Sequence, residues 1–558
     1  MGRSNGVAFV EVRAELLVCG GPLQHAVACK IAKSPNHQIK NPLYHVSFRM
    51  TTTAPLALGH PRSIWRRETA ILIYIAAATV VIHWIAALYS PGFHRDELAT
   101  LDDARHLAWG YVAYPPVTPF FARISLTLFG TALAGFRFFA SLANAVALVL
   151  IGLMARDLGG SRGAQLFASF AALPACLAIG SMMQYVSFDY LAWVLVAFFI
   201  VRLLKTEDPR WWLGVGAAVS FGMLSKYAMP FYVAGVVVGL LLTSTRRFLR
   251  SRWLWYGVAL SLLIFLPNLI WQIRNDFVYL DFVRHIHVRD VLIGRTKGFL
   301  PDQLKFTMFA APLWITGLWF SFFSPAGRRF RLLGWMYVIP LVIFLITKGR
   351  GYYLVGAYPM LYAAGSVCGE QWMTRLPSGW RTTLRASAWT ALALNVVIFS
   401  AVFLPVTGPN SRWWRWAASI NGDLREEVGW PELVQTVAQI RDSLSPQQRA
   451  RLGILAGDYG AAGAIDLYGS VYGLPPAISG INSFWQRGYG DPPPETLIIL
   501  GASQRWVDAQ FTGCRIAARS WNRYGVINEQ TGDRPDIFLC GPPRQPWPDF
   551  WRSFRYYG

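Results

Sequence analysis

Apolar residues in this chain come in long blocks rather than at alternating positions. From residue 69 onward these blocks run about 17 to 22 residues, the length that crosses ~30 Å of hydrocarbon as a helix. Candidate spans fall at 69–89, 134–155, 164–181, 186–204, 211–225, 229–245, 253–272, 306–323, 331–347, 353–370 and 384–404. That makes eleven, with a short pair on either side of Lys226.

The polar gaps between the blocks alternate in character. One set is short and basic: Arg62, Arg66 and Arg67; Arg156 and Arg162; Arg202, Lys205 and Arg210; Arg246, Arg247, Arg250 and Arg252; Arg328, Arg329 and Arg331; Arg375, Arg381 and Arg385. Cytoplasmic loops have this bias, so eleven spans from a cytoplasmic N-terminus leave the tail from about 405 outside. The other set holds a stretch at 93–119, a turn at 181–186, Lys226, a loop at 273–305 and a turn at 348–352. Arg274, Arg284, Arg289, Arg295, Lys297, Lys348 and Arg350 lie there against the bias, either to hold an anion or as solvated loop charge.

After residue 405 the period changes. A helical pattern at Trp430 to Leu444 leads to buried-strand runs at 452–457, 496–501 and 536–541, with a second helix-like stretch at 459–471. These predict a small extracytoplasmic α/β domain over 406–558. Asp458-Tyr459-Gly460 follows the first strand, where it either approaches a ligand or forms a plain strand-to-helix turn, the simpler reading. Residues 1–60 carry neither a signal-peptide apolar region nor a helical period and read as a disordered extension, with Met50 as a candidate alternative start. The predicted fold is thus mostly α: a polytopic helical bundle over 61–405 with interfacial helices in its first outer loop, followed by the α/β tail.

Composition agrees. The 558 residues are 54% hydrophobic and 15% charged, against about 25% charged in soluble proteins. A net charge of +22 invites a nucleic-acid reading, but the basic residues are dealt out between apolar runs and form no binding module. The six cysteines make no CxxC pair and no cluster with histidine. Cys176 and Cys368 sit in apolar runs as packing residues, while Cys514 and Cys540 share the tail, as a disulfide or as two free thiols.

Candidate chemistry centres on FHRDELATLDDARHLAWGYVAYPPVTP, residues 93–119. Leu98, Leu101, Ala104, Leu107 and Ala108 recur at helical spacing, which suits an amphipathic helix in the interface plane. Asp102, Asp103, Arg105 and His106 fall on its other, solvated face. Asp96 and Glu97 stand at its N-terminal end, and Pro115, Pro116 and Pro119 break the chain beyond it. A local role would make Asp96 the helix cap, with Glu97 favoured by the macrodipole. A chemical role would make one carboxylate a general base at a water–lipid boundary.

Arg95-Asp96-Glu97, followed by ARHLAWGY at 104–111 and YPPVTP at 114–119, resembles the first outer loop of the GT-C membrane glycosyltransferases. The branch it is most similar to holds the protein O-mannosyltransferases and lipid A aminoarabinose transferases (glycosyltransferase families 39 and 83). LSKYAMPF at 224–231, KGRGYYLVGAYPML at 348–361, GDYGAAGAIDLYGSVYGLPPAISGINSFW at 457–485 and DIFLCGPPRQPW at 536–547 extend the likeness over most of 60–558. The resemblance implies sugar transfer from a polyprenyl-phosphate donor, with inversion, at the outer face of the cytoplasmic (inner) membrane. It carries the base over to Asp96, within the Asp96-Glu97 pair. The acceptor stays open between protein, lipid and polysaccharide.

A departing lipid phosphate needs cations in a low-dielectric setting. Lys226, Arg274, Lys348 and Arg350 are the candidates, with Tyr352 and Tyr353 in the same basic-aromatic turn. Arg95, Tyr114, Asp189, His285 and His287 are further candidates; loop histidines more often have no such role, and Asp189 qualifies as an acid inside a span. Aminoarabinose transferases carry a Glu-Lys pair where this chain has Ala113-Tyr114-Pro115-Pro116. That departure weakens the match to their acceptor and leaves a divalent metal open; no other cofactor is called for. The competing function is a transporter or flippase of a lipid-linked sugar. It would predict internal repeats and charged or broken spans near the midplane, and neither is found. A scaffold with an outer sensor domain would need no outer cations beside paired carboxylates.

Overall fold

A computed structural model describes residues 61–404 and 406–558. The expectations for residues 1–60, including Met50 as a start, lie outside them. Every predicted span has a helix: Pro61–Tyr89, Phe138–Asp157, Arg162–Ile179, Tyr185–Thr206, Trp211–Met223, Met229–Leu242, Arg252–Arg274, Ala311–Phe323, Arg331–Ile346, Tyr358–Met373 and Ser378–Phe403. Among the described residues, eight helices are long and apolar enough to cross a membrane, or nine if Met229–Leu242 and Ser244–Arg250, bent by 104°, form one span. The remaining two, Trp211–Met223 and Tyr358–Met373, are 13 and 16 residues long. At 1.5 Å per residue they reach only about 20 to 24 Å.

The bundle packs closely where side chains are small. A methyl group at Gly317 would collide with the carbonyl of Leu361, and one at Gly365 with that of Leu313. Helices Ala311–Phe323 and Tyr358–Met373 therefore touch backbone to backbone, the small-residue contact that membrane helices favour. Trp193, Tyr232, Tyr337 and Tyr358 fill the core between helices. Arg252–Arg274 instead turns Trp255, Leu262, Leu263 and Ile273 outward, as a lipid-facing span must.

Loops predicted to share a side meet one another. On the basic side Lys205 reaches Asp157 at 2.9 Å, and Arg247 and Arg329 reach Glu207 at 2.9 and 3.0 Å. On the other side the first loop meets Gln184 and the tail at Asp96, and Lys226 meets Tyr185 and the 348–353 turn.

The tail carries a five-stranded sheet in the order β2 (Ala477–Ile478), β1 (Leu452–Ala456), β3 (Thr496–Leu500), β5 (Asp536–Cys540), β4 (Arg515–Arg519). β1 runs parallel to β2 and β3; β5 is antiparallel to β3 and β4. The three strands expected from apolar runs are β1, β3 and β5. β2 is two residues long and β4 is edged with arginines, so neither makes an apolar run. Cys514 and Cys540 are joined by a disulfide.

A second core fuses the first loop to the tail. Leu98, Leu101 and Ala104 of helix Arg95–Arg105 are fully buried, in one cluster with Trp430, Leu433, Val437 and Ile465. Helix Tyr459–Tyr468 lies directly against this helix. A methyl group on Gly463 would stand 2.7 Å from the backbone of Leu98, and one on Gly460 2.8 Å from Cβ of Arg95. The GAAGA run at 460–464 is therefore a docking face.

Candidate active site

The N-terminus of helix Arg95–Arg105 divides its two acids between different tasks. The cap is His94, not Asp96: its ring accepts from the Asp96 N–H, and Glu97 accepts from the His94 N–H at 3.0 Å. Glu97 is fully buried, held twice by Arg137 at 2.8 and 2.6 Å and by the Met183 N–H at 2.8 Å. Arg137 also donates to Glu427 at 2.9 Å, and Ser90 donates to Glu427 at 2.5 Å. This buried network ties the first loop, the Phe138–Asp157 helix and the start of the tail together.

Asp96 is the accessible acid, its side chain 40% exposed. Gln184, the cap of the Tyr185–Thr206 span, donates to Oδ2 at 3.0 Å. The hydroxyl of Tyr459, from the tail, donates to Oδ1 at 2.8 Å. Burial and the Asp96 charge push the Tyr459 phenol well up, so it remains a donor. Arg95 stacks its guanidinium 5.5 Å from the Tyr459 ring centre and pairs with Glu529. Two oxygens fixed by two donors leave a carboxylate oriented, open, and with lone pairs to spare.

One residue beyond Gln184, the ring of Tyr185 faces a cation. The Lys226 ammonium sits over the rings of Tyr185 at 5.3 Å, Tyr352 at 5.0 Å and Tyr353 at 4.4 Å. Such faces attract a cation without neutralising it, and among the described residues no carboxylate is ion-paired with Lys226. Asp189, buried behind it, feels its charge while accepting from the Trp193 indole at 3.0 Å. Arg350, in contrast, is paired with Asp290 at 2.5 Å. Tyr114 extends the aromatic wall, its ring 6.1 Å from Tyr185, and donates to Asp103 at 2.5 Å.

The structure thus brings together Arg95, Asp96, Glu97, Tyr114, Asp189, Lys226, Arg350, Tyr352 and Tyr353. Arg274, Lys348 and His287 are exposed, and no hydrogen bond, ion pair or ring contact ties them to this cluster among the described residues. His285 meets the ring of Tyr557 at 5.9 Å. No group of three His, Cys, Asp or Glu side chains among the described residues is placed to hold a metal ion.

Besides the helix cap, two readings of the sequence need correction. Asp102 and Asp103 are not on a solvated face: they are 1% and 5% exposed and held by Arg487 of the tail. Burial pushes the Asp103 carboxyl up to about 6, against the pull of Arg487. Asp458-Tyr459-Gly460 is more than a turn. Asp458 does cap its helix, accepting from the Ala461 N–H at 2.7 Å, but Tyr459 reaches the candidate base. The GAAGA run that docks the helix was its one local signal.

The helical bundle with its α/β tail has counterparts of known structure. The crystal structure of ArnT from Cupriavidus metallidurans bound to undecaprenyl phosphate superposes with a TM-score of 0.54 at 15% identity, covering 84% of this chain and 97% of that one. The apo form of the same protein gives 0.51 at 16% identity, with the same coverage. The fold is therefore GT-C. The family described as dolichyl-phosphate-mannose-protein mannosyltransferase matches residues 113–271. The lipid A galacturonosyltransferase RgtD of Rhizobium johnstonii is 26% identical over 313 residues, 52% of this chain and 64% of that relative's length. The likeness to the protein mannosyltransferase and ArnT type, read first from the motifs, holds in both sequence and fold.

Proposed function

We propose that the protein is an inverting glycosyltransferase that takes a sugar from a polyprenyl-phosphate donor at the outer face of the cytoplasmic membrane, with the tail extracytoplasmic. The observation that carries this reading is that Asp96 and Lys226 contact consecutive residues, Gln184 and Tyr185.

In this mechanism Asp96 takes the proton from an acceptor hydroxyl as its oxygen attacks the anomeric carbon. The bond from that carbon to the phosphate oxygen breaks, and its electron pair leaves with the lipid phosphate. Lys226 meets the developing phosphate charge in a setting where water is scarce and a fixed cation is most effective. Tyr185, Tyr352 and Tyr353 hold the ammonium in place. Arg350 serves as a second, partly neutralised cation. Glu97, engaged on both oxygens, keeps the helix end that presents Asp96. The matching family's description, dolichyl-phosphate-mannose-protein mannosyltransferase, and the similar structure holding undecaprenyl phosphate support a lipid-phosphate donor.

The test is reconstitution into vesicles with a labelled polyprenyl-phosphate sugar. Cleavage of the sugar–phosphate bond and appearance of label in an acceptor from envelope extract are expected. Movement of intact donor between leaflets with no cleavage would instead make the protein a flippase.

A further inference from the structure

Two segments of the tail reach Arg95 and Asp96, and a third packs against the residue that makes one of these contacts. Tyr459 donates to Asp96. Glu529 pairs with Arg95, whose guanidinium lies on the Tyr459 ring. The chain end packs beside that ring, with Gly558 near it and the Tyr556 hydroxyl donating to the Gly457 carbonyl at 2.7 Å, two residues before Tyr459. The ring is thus clamped, and its single hydroxyl proton is aimed at one carboxylate oxygen.

We propose that Tyr459 is a positioning residue for the transfer: the tail delivers its hydroxyl to fix the carboxylate plane of Asp96 and steady its charge until the acceptor arrives. The inference rests on Asp96 acting as base. One donor alone would let the carboxylate rotate about its side-chain bonds. A second donor on the other oxygen, from a different element, stops that rotation. Gln184 comes from a span and Tyr459 from the tail, so the base is correctly set only when the two parts are docked.

The hydroxyl is dispensable for docking itself. The helix interface is closed by Gly460 and Gly463, by Arg487 on Asp102 and Asp103, and by Arg105 donating to the Asp466 carbonyl at 2.7 Å. Tyr459→Phe keeps the ring, its contact with Arg95 and all of these, and removes one donor. The charged or titratable groups facing Asp96 are His94 and Arg95 from its own helix, Tyr185 from the span and Tyr459 from the tail.

The test is a steady-state pH–rate profile of the full-length protein with a labelled polyprenyl-phosphate sugar, for wild type, Tyr459→Phe and Asp96→Asn. Tyr459→Phe is expected to lower kcat about ten- to hundredfold, the usual worth of a hydrogen bond to a charged group. The donor KM should stay unchanged. The acid limb should move to higher pH, because the charged carboxylate has lost a donor. A fluorinated tyrosine at 459, a stronger donor, should move the limb the other way; it also serves if the phenylalanine variant fails to accumulate. Wild-type kcat and profile in Tyr459→Phe, or a lower kcat with an unmoved limb, would overturn the inference while leaving Asp96 as base. Full activity in Asp96→Asn would remove the base itself, a failure distinguishable from the first.

Discussion

Arg487 donates to Oδ1 of Asp103 at 2.6 Å across 384 positions of chain, and the same guanidinium pairs with Asp102. Both carboxylates are buried in the contact between the first-loop helix and the tail. Removing one partner of a buried pair leaves charge with no compensation and costs about 3 to 5 kcal/mol. Arg487→Met should therefore lower the melting temperature of the purified protein and raise hydrogen exchange in the Arg95–Arg105 and Tyr459–Tyr468 helices. Unchanged exchange there would mean that these pairs do not hold the tail.

Asp103 also gives the interface a pH dependence with a definite sign. Burial holds its carboxyl at about 6 in the folded protein, whereas an unfolded aspartate releases its proton near ~3.9. Between those values the folded state binds more protons, so this residue's contribution to stability falls as pH rises from about 4 to about 6. Melting curves across that window should decline less steeply in Asp103→Asn than in wild type. Parallel curves would refute the assignment.

The Lys226 cage predicts a defect in donor binding together with a loss of turnover, since the ammonium meets both the charge already on the donor phosphate and the charge that develops as it leaves. A charge-assisted contact to phosphate is worth about 1.5 to 3 kcal/mol, or about ten- to hundredfold in affinity. Lys226→Met should raise the donor KM by that factor and weaken inhibition by sugar-free polyprenyl phosphate in parallel. A raised KM with unchanged inhibition would shift Lys226 from the phosphate to the sugar.

Glu97 and Asp96 are neighbours with opposite expected phenotypes. Glu97→Gln breaks the buried pair with Arg137 and should cost about 3 to 5 kcal/mol of stability. Protein that still folds should retain turnover. A Glu97→Gln protein that melts like wild type and is inactive would move the chemistry to Glu97.

What could be read along the chain was what depends on near neighbours. A span is a local run of apolar residues, so all eleven helices were visible, as were β1, β3 and β5. Asp96 stood out because a charge beside an apolar block is conspicuous and its surrounding motif is specific. Tyr459 did not, because its partner lies 363 positions away and its own context looks like any strand-to-helix turn. Asp102 and Asp103 were misplaced for the same reason: burial of a carboxylate depends on its partner, and Arg487 cannot be assigned from spacing. The helix cap was missed at close range, since histidine seldom caps and Asp96 is the more usual residue type.

The role proposed for Asp96 is that of base in a transfer from a lipid-phosphate sugar. Its most direct test is the single-turnover rate of sugar transfer by Asp96→Asn, matched to wild type in melting temperature and in affinity for the donor. The amide keeps the shape and loses the acceptor for the proton, so transfer should fall by at least about a hundredfold, the lower range for general-base catalysis, while binding is retained. Transfer at the wild-type rate would contradict the account.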